Sequence, residues 1–120
     1  MWIFTKDGFV SAVRKKDYPG FITVRARDRE SLTGLAEFAE AEIAKSPDGD
    51  YPYRAFVKPE DFSDWVSGEA LDIDYDNFKT KVSQVRGWDF VAALHDVWTA
   101  MLQVEDADAR EGEATKVNPS

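Results

Sequence analysis

Apolar and polar residues alternate over the first 27 positions of the chain and again at 51–57, and the stretches between and after them step by three and four. Alternation is cleanest in Phe21-Ile22-Thr23-Val24-Arg25-Ala26-Arg27. Ile22, Val24 and Ala26 there fall on one face of a strand, and Thr23, Arg25 and Arg27 on the other. Residues 1–5 and 9–14 read as two further strands joined through Lys6-Asp7-Gly8. An Asp-Gly pair between apolar runs supplies the positive φ of a tight hairpin. Pro19-Gly20 marks another turn ahead of the Arg-bearing strand, so the chain is predicted to open as a three-strand antiparallel meander.

A helix is predicted next, capped by Asp28 and running to about Lys45, since a carboxylate accepts from the free amides of a first turn. Leu32, Leu35, Ala36, Ala39 and Ile43 form its apolar stripe, widened by Phe38. Ser46-Pro47-Asp48-Gly49-Asp50 breaks it, and residues 51–57, Tyr-Pro-Tyr-Arg-Ala-Phe-Val, read as a fourth strand. Pro52 lacks an amide donor and belongs at a strand start or on an edge. Strand, helix and strand in succession imply a right-handed crossover if the two strands run parallel.

Three more helices are expected. Pro59, Glu60 and Asp61 open the first, with Phe62, Trp65 and Val66 as its apolar side and Gly68 near its end. Asp74 is a candidate cap for the second, which bears Phe78, Val82 and Val85 and stops at Gly87. Trp88, Val91, His95, Trp98 and Leu102, with Leu94 and Met101 beside them, mark the last. Past Val104 the apolar period is lost. The predicted fold is α+β: a three-strand antiparallel meander, a crossover helix, a fourth strand and C-terminal helices packed on one sheet face. Residues 1–104 form its single domain, and residues 105–120 an acidic, disordered tail.

Composition sharpens this picture in a few places. With 120 residues, 43% of them hydrophobic, the chain can bury one real core. It contains no cysteine, which removes thiolate nucleophiles, thiolate metal sites and disulfides and agrees with a reducing compartment. No apolar run is long enough to span a bilayer and no leader pattern precedes Lys6, so a cytoplasmic protein without membrane contact is expected. The formal net charge of −8 opposes broad binding to nucleic-acid phosphates. Arg14, Lys15, Lys16, Arg25, Arg27 and Arg29 nevertheless outnumber Asp17 and Asp28 in one stretch, so an acidic chain carries one basic patch.

Among residues that could carry chemistry, Asp72-Ile73-Asp74-Tyr75-Asp76-Asn77 opens like a calcium loop but has Asn77 and Ser83 where glycine and a bidentate glutamate are needed. Neither a metal nor a cofactor is expected. His95, the one histidine, lies on the apolar stripe of the last helix and reads as a partly buried structural residue. No nucleophile elbow or glycine-rich phosphate loop is present. No catalytic residue is therefore assigned. The remaining candidates are an aromatic and arginine surface of Arg25, Arg27, Tyr51, Tyr53 and Arg54, suited to carboxylate, phosphate or ring recognition through bidentate contacts and stacking. The competing explanation is structural, with Arg25 or Arg27 paired to Asp50 or Asp74 and Arg stems covering the sheet.

Several strings carry a resemblance: the start Met-Trp-Ile-Phe-Thr-Lys-Asp-Gly-Phe-Val-Ser, Val24-Arg25-Ala26-Arg27, Asp50-Tyr51-Pro52-Tyr53-Arg54, Ile73-Asp74-Tyr75-Asp76-Asn77-Phe78-Lys79 and His95-Asp96-Val97-Trp98. Together, over roughly residues 2–101, they resemble a small uncharacterised protein family of actinobacteria and their bacteriophages. Asp76 departs from the proline that the family pattern has in this turn. The resemblance implies a bacterial or phage setting and transfers no catalytic role. The expected function is that of a small non-enzymatic binding protein acting on a host protein. The alternative is a nucleotide- or nucleic-acid-directed enzyme that uses the arginines with nearby acids and a divalent metal.

Overall fold

The computed structural model describes residues 1–46 and 49–117, the last five through their backbone alone. Pro47 and Asp48 of the predicted helix breaker and residues 118–120 of the predicted tail lie outside the described residues. The fold is α+β. Strands β1 (Trp2–Thr5), β2 (Gly8–Val13), β3 (Ile22–Ala26), β4 (Ala44–Lys45) and β5 (Tyr53–Val57) form one antiparallel sheet in the order β1-β2-β3-β5-β4. Helices α1 (Glu30–Ala39), α2 (Pro59–Leu71), α3 (Phe78–Arg86) and α4 (Trp88–Val117) complete it.

The meander follows the predicted strands closely, with Phe4 opposite Phe9 and Thr5 opposite Gly8 across the first turn. Opposed residues of antiparallel strands share a face, and Ala12, Val24 and Ala55 lie in one such row. That face makes the main core, where Val10, Val24, Ala26, Ala55 and Val57 meet Leu32 and Leu35 of α1 and Phe62 and Trp65 of α2. Full burial of Leu32 and Leu35 is worth about 1.5–3 kcal/mol each. Alanines at positions 12, 26 and 55 leave room for α1 to lie across β2, β3 and β5.

The segment after β3 differs from the expected parallel crossover. Helix α1 stops at Ala39 rather than near Lys45, because Glu40 adopts a left-handed conformation and the Ala41 amide donates to the Ala36 carbonyl at 2.9 Å. Ile43 therefore leaves the helix and packs on the core from an extended segment. Ala44 and Lys45 pair with Arg54 and Tyr53, and this added hairpin returns β5 antiparallel to β3. Pro52 sits just before β5, where its missing amide costs no ladder bond.

Helices α3 and α4 pack on each other around Val82, Val91 and Leu94, and Phe4, Phe78 and Phe90 join that second cluster to the β1 edge. The α3 cap is Asn77, whose side chain accepts from the Thr80 amide at 2.9 Å. Asp74, the expected cap, instead stands 3.4 Å from Lys81. Helix α4 continues well past Val104, so the backbone of residues 105–117 is helical where a disordered tail was expected. The apolar stripe ends there, but Ala107, Ala109, Arg110, Glu111 and Ala114 are good helix formers that need no packed face to extend it.

Candidate functional site

Arg25, on β3, stands directly opposite Arg54 on β5 and opposite Ser11 on β2. All three share the sheet face turned away from the α1 core. Over β3 and β5 on this side, side chains make a second layer themselves. Tyr18 lies on Phe56 with ring centroids 4.2 Å apart. Tyr51, only 6% exposed, is covered by two guanidiniums, with Arg25 Cζ 4.6 Å and Arg27 Cζ 4.5 Å from its ring centre. Such cation–π contacts favour desolvated arginine over lysine.

The partners of these arginines differ from the ion pairs that a structural role suggested. Arg25 Nη2 donates to Ser11 Oγ at 2.8 Å, and Arg27 Nη1 to the Asp50 backbone carbonyl at 2.6 Å. Asp50 thus contributes its main chain, and Asp74 is engaged with Lys81. Among the described residues, no carboxylate forms a salt bridge with Arg25, Arg27 or Arg54. The Nε atoms of Arg25 and Arg54 are buried and have no hydrogen-bond partner. Two like charges directly opposite across a ladder repel, so this face holds unneutralised donors at close quarters.

Four of the five candidate residues therefore come together, and Tyr53 does not. It lies opposite Ala26 on the core face, with Lys45 Nζ 5.6 Å and Arg29 Cζ 6.0 Å from its ring. Residue type groups Tyr53 with Arg54, but neighbouring residues of a strand face opposite sides. Tyr51 precedes the strand, and the chain turns at Pro52 before the regular alternation begins.

Beside the cluster runs an apolar groove of about 270 Å³ between this sheet face and α4. Its walls are Trp2, Phe4, Phe9 and Tyr51 on one side and Phe90, Ala93, Leu94 and Val97 on the other, with Arg27, Asp28 and Ser31 at one end. Trp2 meets Phe9 edge-on and Phe4 stacks on Phe9 at 4.6 Å, so an aromatic ladder lines the strand side. A pocket mainly of apolar and aromatic walls with a few convergent polar groups suits one apolar side chain and an attached charge.

The end of the groove is held by Arg86, a residue that no sequence pattern marks beyond its place as the last helical position before Gly87. Its side chain is 7% exposed. Nη2 pairs with Asp28 Oδ2, Nη1 donates to the Asp7 carbonyl at 2.6 Å and to Ser31 Oγ at 3.3 Å, and the guanidinium lies 4.4 Å from the Phe90 ring centre. Glu30 Oε2 is 3.1 Å from Nε, close enough for charge attraction although not aligned as a hydrogen bond. Asp28, the expected cap, stands one residue ahead of Arg29 at the α1 boundary, and its Oδ1 accepts from the Ser31 amide at 3.1 Å. Burial raises the Asp28 pKa, but the Ser31 and Arg86 hydrogen bonds and the Arg86 charge outweigh this and hold it below the usual carboxylate range.

At the hairpin, Lys6 is tied to Glu69 of α2 at 3.0 Å. Burial lowers its pKa, while that bond and the charges of Asp7 and Glu69 raise it further than burial lowers it. His95 is exposed, not partly buried: it stacks on Trp98 at 5.7 Å, and Lys79 Nζ stands 3.2 Å from its Nδ1. His95 and Trp98 continue the α4 stripe of Val91 and Leu94, but they lie beyond the stretch that packs into the second cluster and so stay exposed. Among the described residues, no three Asp, Glu or His side chains converge as a metal site, and no helix is long and apolar enough to cross a membrane. Comparison with known protein families, curated proteins and solved structures finds no match to the chain.

Proposed function

We propose that this chain is a small non-enzymatic binding protein of a bacterial cytoplasm, carried by a phage or its host, that grips a protein partner through the open sheet face. A carboxylate of the partner would span Arg25 and Arg54, and a neighbouring apolar side chain would enter the groove beside Tyr51 and Phe9. The observation that carries the reading is the Arg25–Arg54 pair, half-buried and opposed across the ladder with no ion-paired acid among the described residues. An arriving carboxylate would accept from the outer Nη groups of the two guanidiniums and relieve the repulsion between them. The groove beside them provides the desolvated anchor that concentrates binding energy at protein interfaces.

Affinity purification from a bacterial lysate, with the wild-type chain and the Arg25→Ala, Arg27→Ala and Arg54→Ala variants as baits, tests this reading. A partner retained by the wild type and lost from Arg25→Ala and Arg54→Ala is the expected result. Equal capture by all baits would remove the face from consideration. The same guanidiniums could also receive phosphate, the basis of a nucleotide-directed alternative. Melting curves with nucleotides, with and without magnesium, separate the two, since a ligand of the native state raises the melting temperature.

A further inference from the structure

Helix α4 spans about 45 Å, yet its buried residues, Val91 and Leu94, lie near its start. The stripe that they begin continues through Val97, Trp98, Met101, Leu102 and Val104 without a covering element. Trp98 is 54% exposed and Met101 57%. Single exposed apolar residues are ordinary, but a contiguous run on one helix marks an interaction surface. Charge along the helix says what fits it. At one end Lys79 of α3 leans on the stripe, its Nζ 5.0 Å from the Trp98 ring centre and 3.2 Å from His95 Nδ1. Lysine can only donate, so His95 accepts there. At the other end the same azimuth carries Glu105 and Asp108, seven and ten residues beyond Trp98.

We infer that the exposed stripe of α4 pairs two copies of this chain, antiparallel, about a two-fold axis beside Met101. Such an axis sets Glu105 of one copy opposite Trp98 of the other, and Asp108 opposite His95, so each acidic end meets the Lys79 side of its partner. Every contact then occurs twice, as an isologous interface requires. A parallel pair would instead bring Glu105, Asp106, Asp108 and Glu111 of both copies side by side, a repulsive arrangement. This surface adjoins the groove of the arginine face at Val97, and none of the positions substituted below lines that groove.

Sedimentation equilibrium on the full chain tests the pairing, with circular dichroism confirming that each variant is folded; the substituted α4 positions are exposed in the single chain. The wild type should form a concentration-dependent dimer. Met101→Glu, which sets two carboxylates beside the axis, should be monomeric over the same range. Glu105→Lys and Lys79→Glu should each weaken the dimer about ten-fold, because one reversed charge counts twice in a symmetric interface. The double variant should recover to within about three-fold of wild type. A wild type that stays monomeric would assign the stripe to a different protein and overturn the proposal. So would a dimer indifferent to Met101→Glu, or charge reversals that the double variant does not rescue.

Discussion

Arg86 and the Arg25–Arg54 pair are arginines with buried Nε atoms in one small fold, and their surroundings treat them in opposite ways. Arg86 is enclosed by acceptors: the Asp28 carboxylate, the Asp7 carbonyl and Ser31 Oγ, with Glu30 alongside. Arg25 has one hydroxyl and Arg27 one carbonyl; the Nε atoms of Arg25, Arg54 and Arg86 all lack a hydrogen bond, but among the described residues only Arg86 of these has carboxylates beside it. A buried guanidinium that is neutralised holds elements together, and its loss leaves buried acceptors behind. One without a counter-charge holds its neighbours only through neutral acceptors and ring faces, which stabilise less than an ion pair. Burial alone does not separate the two cases; the placement of carboxylates does.

The largest test of this contrast is Arg86→Ala. Removing one partner of a buried ion pair costs about 3–5 kcal/mol, and the 42% exposure of the Asp28 side chain places this one toward the lower end. Urea unfolding should therefore show a loss of about 3 kcal/mol, whereas Arg25→Ala, which gives up one hydroxyl bond and a ring contact but no ion pair, should cost only about 1 kcal/mol. Equal losses would end the distinction between the sites. Gly8→Ala should follow at about 2 kcal/mol. Gly8 has a φ of +146°, and a Cβ there would collide with Ser31 Oγ and stand 2.6 Å from Arg86 Nη1.

Acid sharpens the comparison further. The Asp28 pKa is lower in the folded than in the unfolded chain, so its contribution is complete above about pH 4 and disappears as the pH falls through the lower folded value. Melting temperatures of Asp28→Asn should lie below those of wild type at neutral pH, and the two curves should converge in acid. The smallest effect has the opposite sign. Arg54→Glu supplies the missing carboxylate opposite Arg25 and should raise stability by up to about 1 kcal/mol while abolishing partner capture. A variant both less stable and still competent would break the proposed division of roles.

Much of the sheet was legible because its local signals agree. Lys6-Asp7-Gly8 and Pro19-Gly20 set the turns, and the parity of Ile22, Val24 and Ala26 identified the core side of β3. The short β4 was not legible, since two residues carry no period and their pairing depends on where α1 stops. That stop uses Glu40 in a left-handed conformation, a residue type with no preference for it. For the site, Arg25, Arg27, Arg54 and Tyr51 could be proposed together from residue type. Tyr53 was misplaced because it was grouped with Arg54 by residue type although adjacent strand positions face opposite sides, and Arg86 was missed because its partners lie 55 to 79 residues away.

The reach of Arg86 also imposes an order of events. Its bond to the Asp7 carbonyl closes a loop of most of the chain, and contacts of such separation form late because their loop entropy must be met before they stabilise anything. During synthesis all five strands leave the ribosome before α3 does. Until residue 86 arrives, the first turn lacks its clamp and Phe4 and Phe9 lack the helices that partly cover them. A nascent chain stalled after α2 should accordingly be the species most easily cleaved near that turn.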